Sequence, residues 1–204
     1  MFIWQWYTTT IKASPLIAAF IQFAILGMVG EWVSAKVKRV PMGLGPVTFL
    51  GKMLAWGILG FIIKLAFKSF DGFAEHLIQV FRPDLTMKIL MSTTGGLIFW
   101  AFVKSVSINV FFAPQMMFFH RWEDNLVLRR NSYVGMGFAL KSILWFWIPA
   151  HTITFSIPIP DVQITLAAIW GVMLGLILGL AMRRNVAAPI SAPAAAPERA
   201  KVGS

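Results

Sequence analysis

One lysine stands in the run IFWAFVKSVSINVFF, residues 98–112, with no other charge beside it. A cation held at depth in hydrocarbon costs about 3 kcal/mol or more. Lys104 therefore needs a partner, water, or a reach to the nearest polar boundary. Ser107 lies one helical turn further on, and Ser105 and Asn109 widen the same polar strip. Glu31, beside Gly30 at the end of another apolar run, is either a boundary carboxylate or the counter-charge of a lysine such as Lys104, Lys52 or Lys64. Pairing would lower the desolvation cost of both partners. The chemistry open to this set is the handling of small charged or hydrogen-bonding solutes, with a bias toward anions from the lysine.

A second polar interruption is WFWIPAHTITFSIPIP, residues 145–160. Pro149 inside an apolar run frees a carbonyl and kinks a helix. Hydrocarbon cannot satisfy that carbonyl, whereas a neighbouring helix, a hydroxyl or water can. His151, Thr152, Thr154 and Ser156 bring the groups, so the stretch belongs against protein or along an aqueous wall. Pro158 is a second candidate kink, and with Pro160 and Asp161 it makes the turn into the last apolar run.

Other chemistries lack their residues. With no cysteine, disulfides, thiolate metal sites and cysteine nucleophiles are excluded. His120, Glu123 and Asp124 do not have the spacing of a helical His-Glu-x-x-His zinc motif, and Arg121, Glu123 and Asp124 read as a solvated helix end. Neither His151 nor His76 has an evident facing histidine for haem. No nucleotide-binding glycine loop, paired intramembrane carboxylates or serine-histidine-acid set is present. The expectation is a protein that is not an enzyme, with no cofactor and no metal.

The elements that must position these residues follow from composition. The chain is 58% hydrophobic and only 13% charged, against roughly a quarter charged in soluble domains. Too few polar groups exist to cover a water-exposed surface, so the medium is a lipid bilayer. A helix needs about twenty apolar residues to cross it, and the runs lie near residues 16–33, 47–67, 89–119, 135–157 and 162–182. The third is longer than one crossing needs, so it tilts, bends near STTGG or projects. Between the second and third, Phe70, Phe73, Leu77, Ile78 and Phe81 recur at three- and four-residue steps, as in an amphipathic helix lying at the membrane interface. Gly171, Gly175 and Gly179 share one face of the last run, a helix-packing signal open to internal use or self-association.

The expected architecture is therefore all-α: a bundle of about five transmembrane helices over residues 1–184, then a disordered alanine- and proline-rich tail, 185–204. The net charge of +10 sits at the ends of apolar runs, in SAKVKRV, VLRRNS and AMRRN, which fixes membrane orientation rather than binding nucleic acid. Five crossings gather these clusters on one face and place the C-terminus on the cytoplasmic or matrix side. The first residues, MFIWQWYTTTIKASP, lack the basic region and cleavage site of a secretory signal.

Several ordered residues are similar to the 22-kDa peroxisomal membrane proteins and their mitochondrial relatives, the Mpv-seventeen family. Trp4, Tyr7 and Pro15, then Gly30, Glu31 and Ser34, stand at the family's spacing around its first span. Phe67, Lys68, Asp71 and Phe73 resemble its Trp-Tyr-Lys-x-x-Asp-x-Phe stretch, with Ala66 in place of the tryptophan. Trp147, Pro149, His151, Thr154, Phe155, Pro158 and Trp170 resemble its Trp-Pro to Val-Pro segment, with histidine for glutamine and threonine for asparagine. The resemblance implies a weakly selective channel for small solutes or metabolites, in a mitochondrial inner or peroxisomal membrane. The tail and the absence of targeting signals leave a bacterial cytoplasmic membrane open. On this reading Lys104, Ser107, Glu31, His151 and Thr154 line the path. The alternative is a non-catalytic structural or assembly subunit of a larger membrane complex.

Overall fold

The computed structural model describes Gln5, Thr9 and residues 11–187, apart from the side chains of Asp161 and residues 181–187. Trp4 and Tyr7, and the expected disordered tail from residue 188 onward, lie outside the described residues. Proline opens two long helices, at a position where its missing N–H is no loss. These are α1, Pro15–Lys38, and α2, Pro46–Phe81. Lys36 and Lys38 sit over the carbonyl end of α1, where a cation is favoured. The bend expected at STTGG is the break between the short α3, Met87–Leu90, and α4, Thr94–Phe111. There the Thr93 hydroxyl accepts from the Gly96 N–H at 3.1 Å and caps α4. A single joint residue, Phe112, leads into α5, Ala113–Val127, with Pro114 in its first turn.

Next come α6, Met136–Ser142, a π-helical turn, Ile143–Trp147, and α7, Ile148–Phe155, as one unbroken run. The wide turn stands just before Pro149, whose ring would crowd the carbonyl four residues back in a regular helix. Two hydroxyls meet on the Ile148 carbonyl, Ser105 from α4 at 2.7 Å and Thr152 at 2.8 Å, as the lack of water demands. Pro158 kinks no helix. It lies in the turn before α8, Pro160–Ala187, which passes the boundary expected at residue 184.

Among the described residues, four helices are long and apolar enough to cross a membrane: α1, α2, α4 and, within α8, Val162–Leu180. Residues 136–155, read through the π turn, add a fifth run about 30 Å long. The contacts agree with five. Gln22 meets Thr165, Gly30 meets Val172 and Gly175, and Val37 meets Gly179, so α1 and α8 run parallel, with three antiparallel crossings between them. The surface is apolar too: Ile17, Ile21, Ile25 and Val29 are exposed along α1, and Leu50, Leu54, Ile58 and Leu65 along α2. Stripes of this extent suit hydrocarbon rather than water. The protein is membrane-embedded and all-helical.

The expected interfacial helix is helical but not separate. Residues 68–81 continue α2, which at 36 residues runs about 54 Å. Nothing in AFKSFDGF forces a break, since Gly72 is tolerated within a helix and no proline occurs. Beyond the end of α2, Arg82 grips Asp84 through two bonds of 3.0 and 2.8 Å. The guanidinium holds that exposed carboxyl below its ordinary range, chiefly by hydrogen bonding.

The glycine stripe of α8 divides. A methyl at Gly175 would lie 3.2 Å from the Gly30 carbonyl oxygen, and one at Gly179 would press on Val37, so both set the α1–α8 approach. Gly171 has nothing within 4 Å of that position and does not serve packing within the chain. Gly60 of α2 abuts the Ala19 carbonyl and Phe23 on α1. Gly60→Val therefore costs about 1–3 kcal/mol by overpacking. Gly171→Ala stays within about 0.5 kcal/mol. Thermal unfolding of both in the same detergent checks the pair, and equal losses would contradict this division.

Candidate functional site

A cavity of about 610 Å³ opens between the helices at the end of the bundle where α1 finishes and α2 begins. Its lining along α2 extends from Lys52 to Phe67, about 22 Å of helix, so it reaches deep into the apolar layer. Lys38, Arg121 and Arg130 stand at the mouth. Below them lie Glu31, Lys52 and Asp124, and the walls are apolar, with Phe23, Leu59, Ile63 and Met116 prominent. At the far end are Phe67, Asn109, Trp147 and His151. Gly171 is also part of the wall, which explains the open space at its Cα.

The mouth is organised by one buried lysine. Lys52 is 4% exposed, and its ammonium bridges Glu31 at 2.5 Å and Asp124 at 2.6 Å. The Trp56 indole also donates to Glu31 at 2.8 Å, and its ring lies against His120 with centroids 4.4 Å apart. Of the lysines considered for Glu31, the fold selects Lys52. The expected solvated helix end is corrected: α5 runs on to Val127, Glu123 is buried, and Asp124 turns inward to Lys52. His120 and Glu123 stay 3.9 Å apart, and no group of three metal-ligating side chains gathers among the described residues.

At the far end Asn109 is fully buried. Its amide donates to the Ser105 carbonyl at 2.8 Å and lies 3.0 Å from His151 Nδ1. With Asn109 as donor, Nδ1 accepts and the ring proton is left on Nε2. His151 is wedged among aromatic rings, with centroids 5.2 Å from Trp147, 5.5 Å from Phe67 and 5.7 Å from Phe155. Two buried polar atoms here have no protein partner, Asn109 Oδ1 and Trp147 Nε1.

Three expected path residues lie elsewhere. Lys104, 1% exposed, bonds Asp71 at 2.6 Å, and its ammonium sits 4.0 Å from the Phe155 centroid and 5.1 Å from that of Trp100. It is boxed in, not set on the cavity wall. Ser107 donates to the Val103 carbonyl in its own helix at 2.8 Å. Thr154 donates to the Ala150 carbonyl and accepts from the Trp170 indole at 3.0 Å. Both hydroxyls are consumed by packing. Glu31 and His151 do reach the cavity. Asp71, which the sequence places in the interfacial helix between the second and third runs, is the partner of Lys104 that the sequence reading missed; an acid on a helical face continuous with the second span was the available signal.

Comparison of the chain with protein-family models, with curated proteins and with solved structures gives no match.

Proposed function

We propose that this membrane protein is a weakly selective passage for small solutes, entered at the basic end of the bundle. The observation that carries this reading is the cavity itself, open at the mouth and running inward to His151. Beyond His151 an aromatic layer, Phe67 and Phe155, separates the cavity from the Lys104–Asp71 pair. Displacement of that layer is the step that opens the path. Four cationic side chains line the cavity against two carboxylates, so the anion bias comes from Lys38, Arg121 and Arg130 rather than from the neutralised Lys104. The ordered likeness to the Mpv-seventeen family supports the same function, and the basic clusters support a cytoplasmic or matrix C-terminus.

The structural-subunit alternative would use the glycine stripe for a partner. Gly175 and Gly179 are instead spent on α1. The deciding test is flux of small anions and cations from proteoliposomes. Wild type should release anions faster, and Gly171→Trp, which fills the cavity from its wall, should reduce release about tenfold or more while leaving the unfolding temperature near that of wild type. A protein that releases neither kind of ion, or is indifferent to the plug, is not a passage through this cavity.

A further inference from the structure

The cavity differs along its length in a way that specifies a ligand. At the mouth Lys38, Arg121 and Arg130 have no ion-pair partner among the described residues, so their charge is free for an incoming anion. Along the middle, the walls offer mainly apolar surface, which a compact inorganic anion would have to cross with little compensation. At the far end, Asn109 Oδ1 is an acceptor without a donor and Trp147 Nε1 a donor without an acceptor. The two residues are neighbours there, the Asn109 amide nitrogen lying 3.5 Å from the Trp147 carbonyl. Buried polar groups left unmet cost stability, and a hydroxyl, which both donates and accepts, is a compact group able to answer either of them.

We propose that the cavity binds elongated amphiphilic anions bearing a hydroxyl at the end remote from the charge. The carboxylate or phosphate rests among the three mouth cations, the apolar body lies along Phe23, Ile63 and Met116, and the hydroxyl displaces the packing over Asn109 Oδ1 and Trp147 Nε1, both sealed from solvent. This deepens the passage reading and rests on the same cavity, but it concerns binding and is separable from transport. A simple fatty acid fills the first two zones and leaves the third unmet. A dicarboxylate brings no proton to Asn109.

The experiment measures binding of hexadecanoate, 16-hydroxyhexadecanoate and hexadecanedioate, chains long enough to span the cavity, to the full chain in neutral-lipid nanodiscs, read by tryptophan fluorescence and calorimetry. The hydroxy acid should bind about two- to tenfold tighter than hexadecanoate, the range of one or two buried hydrogen bonds. Trp147→Phe removes the unpartnered donor together with the second ring, so it is read as the ratio of the two affinities, which should fall toward one whatever happens to either affinity alone. Arg121→Gln should weaken all three acids together. Equal binding of hexadecanoate and its hydroxy derivative overturns the proposal and assigns the two orphan atoms to water. Displacement of all three acids by phosphatidylglycerol, with no hydroxyl preference, overturns it in favour of a leaflet lipid. A hydroxyl preference without flux in proteoliposomes upholds the site and removes the passage; flux without that preference does the reverse.

Discussion

Asp71→Asn destabilises the protein by about 3–5 kcal/mol, the loss expected when one partner of a buried ion pair is removed. Lys104 is 1% exposed, and Asp71 is its single carboxylate partner among the described residues, at 2.6 Å. The rings of Phe155, Trp100 and Phe67 approach the ammonium. Each supplies about 2 kcal/mol or less when desolvated, and none replaces a full counter-charge. The converse substitution is milder. Lys104→Met strands Asp71, but that carboxylate is 24% exposed and has Lys68 at 3.8 Å, so solvent and a second cation take up its charge. The double variant Lys104→Met/Asp71→Leu should recover most of the loss, because an apolar pair of similar volume replaces two desolvated charges. Denaturant unfolding in detergent micelles measures all three. If Lys104→Met proves as damaging as Asp71→Asn, the asymmetry argued from exposure is wrong.

That pair also marks the limit of what the residue order discloses. Apolar runs of membrane length, proline at helix starts and the Thr93 cap are local signals, and they locate the crossings. The need for a partner at Lys104 was equally local, since a charge at depth must be met. Which carboxylate meets it was not. Asp71 lies among Lys68, Glu75 and other polar residues that read as a link, and only the unbroken course of α2 brings it opposite α4. Asp124 was hidden for a related reason. The third apolar run fades at about Phe119, whereas the helix keeps its hydrogen bonds to Val127 and carries Asp124 to Lys52. Hydrophobicity reports the medium around a helix, and the backbone does not end where the hydrophobicity does. The polar strip of Ser105, Ser107 and Asn109 was legible as a strip, yet each member serves a different end: Ser105 the Ile148 carbonyl of the neighbouring helix, Ser107 its own helix, Asn109 the cavity. A stripe of glycines likewise gives no sign of which member meets a neighbour and which meets empty space.

Lys52→Met is the second large effect, and here the harm comes from what remains. One ammonium holds Glu31 and Asp124 at 2.5 and 2.6 Å, so the two carboxylate oxygens lie within about 5 Å of each other. With the cation gone they repel by about 3 kcal/mol at the effective dielectric of a partly buried site. Trp56 still donates to Glu31 but brings no charge. Removing the cause along with the cation should therefore rescue the fold: Lys52→Met/Glu31→Gln leaves Asp124 alone and should regain at least half of the lost stability. Lys52→Arg keeps the charge and should cost less than the methionine, although its planar fork suits two carboxylates on different helices less well than an ammonium does. The cavity provides an independent reading, because Lys52 lies in its wall. Removing a cation there while Lys38, Arg121 and Arg130 remain should lower anion release in proteoliposomes without abolishing it. A triad that merely staples α1, α2 and α5 predicts otherwise: Lys52→Met/Glu31→Gln/Asp124→Asn, which replaces one ammonium and two carboxylates with neutral groups, would release anions at the wild-type ratio to cations. A triad that also faces the solute would raise that ratio, because the variant removes a net negative charge from the wall, and so the triple variant separates charges that hold helices together from charges that meet a solute.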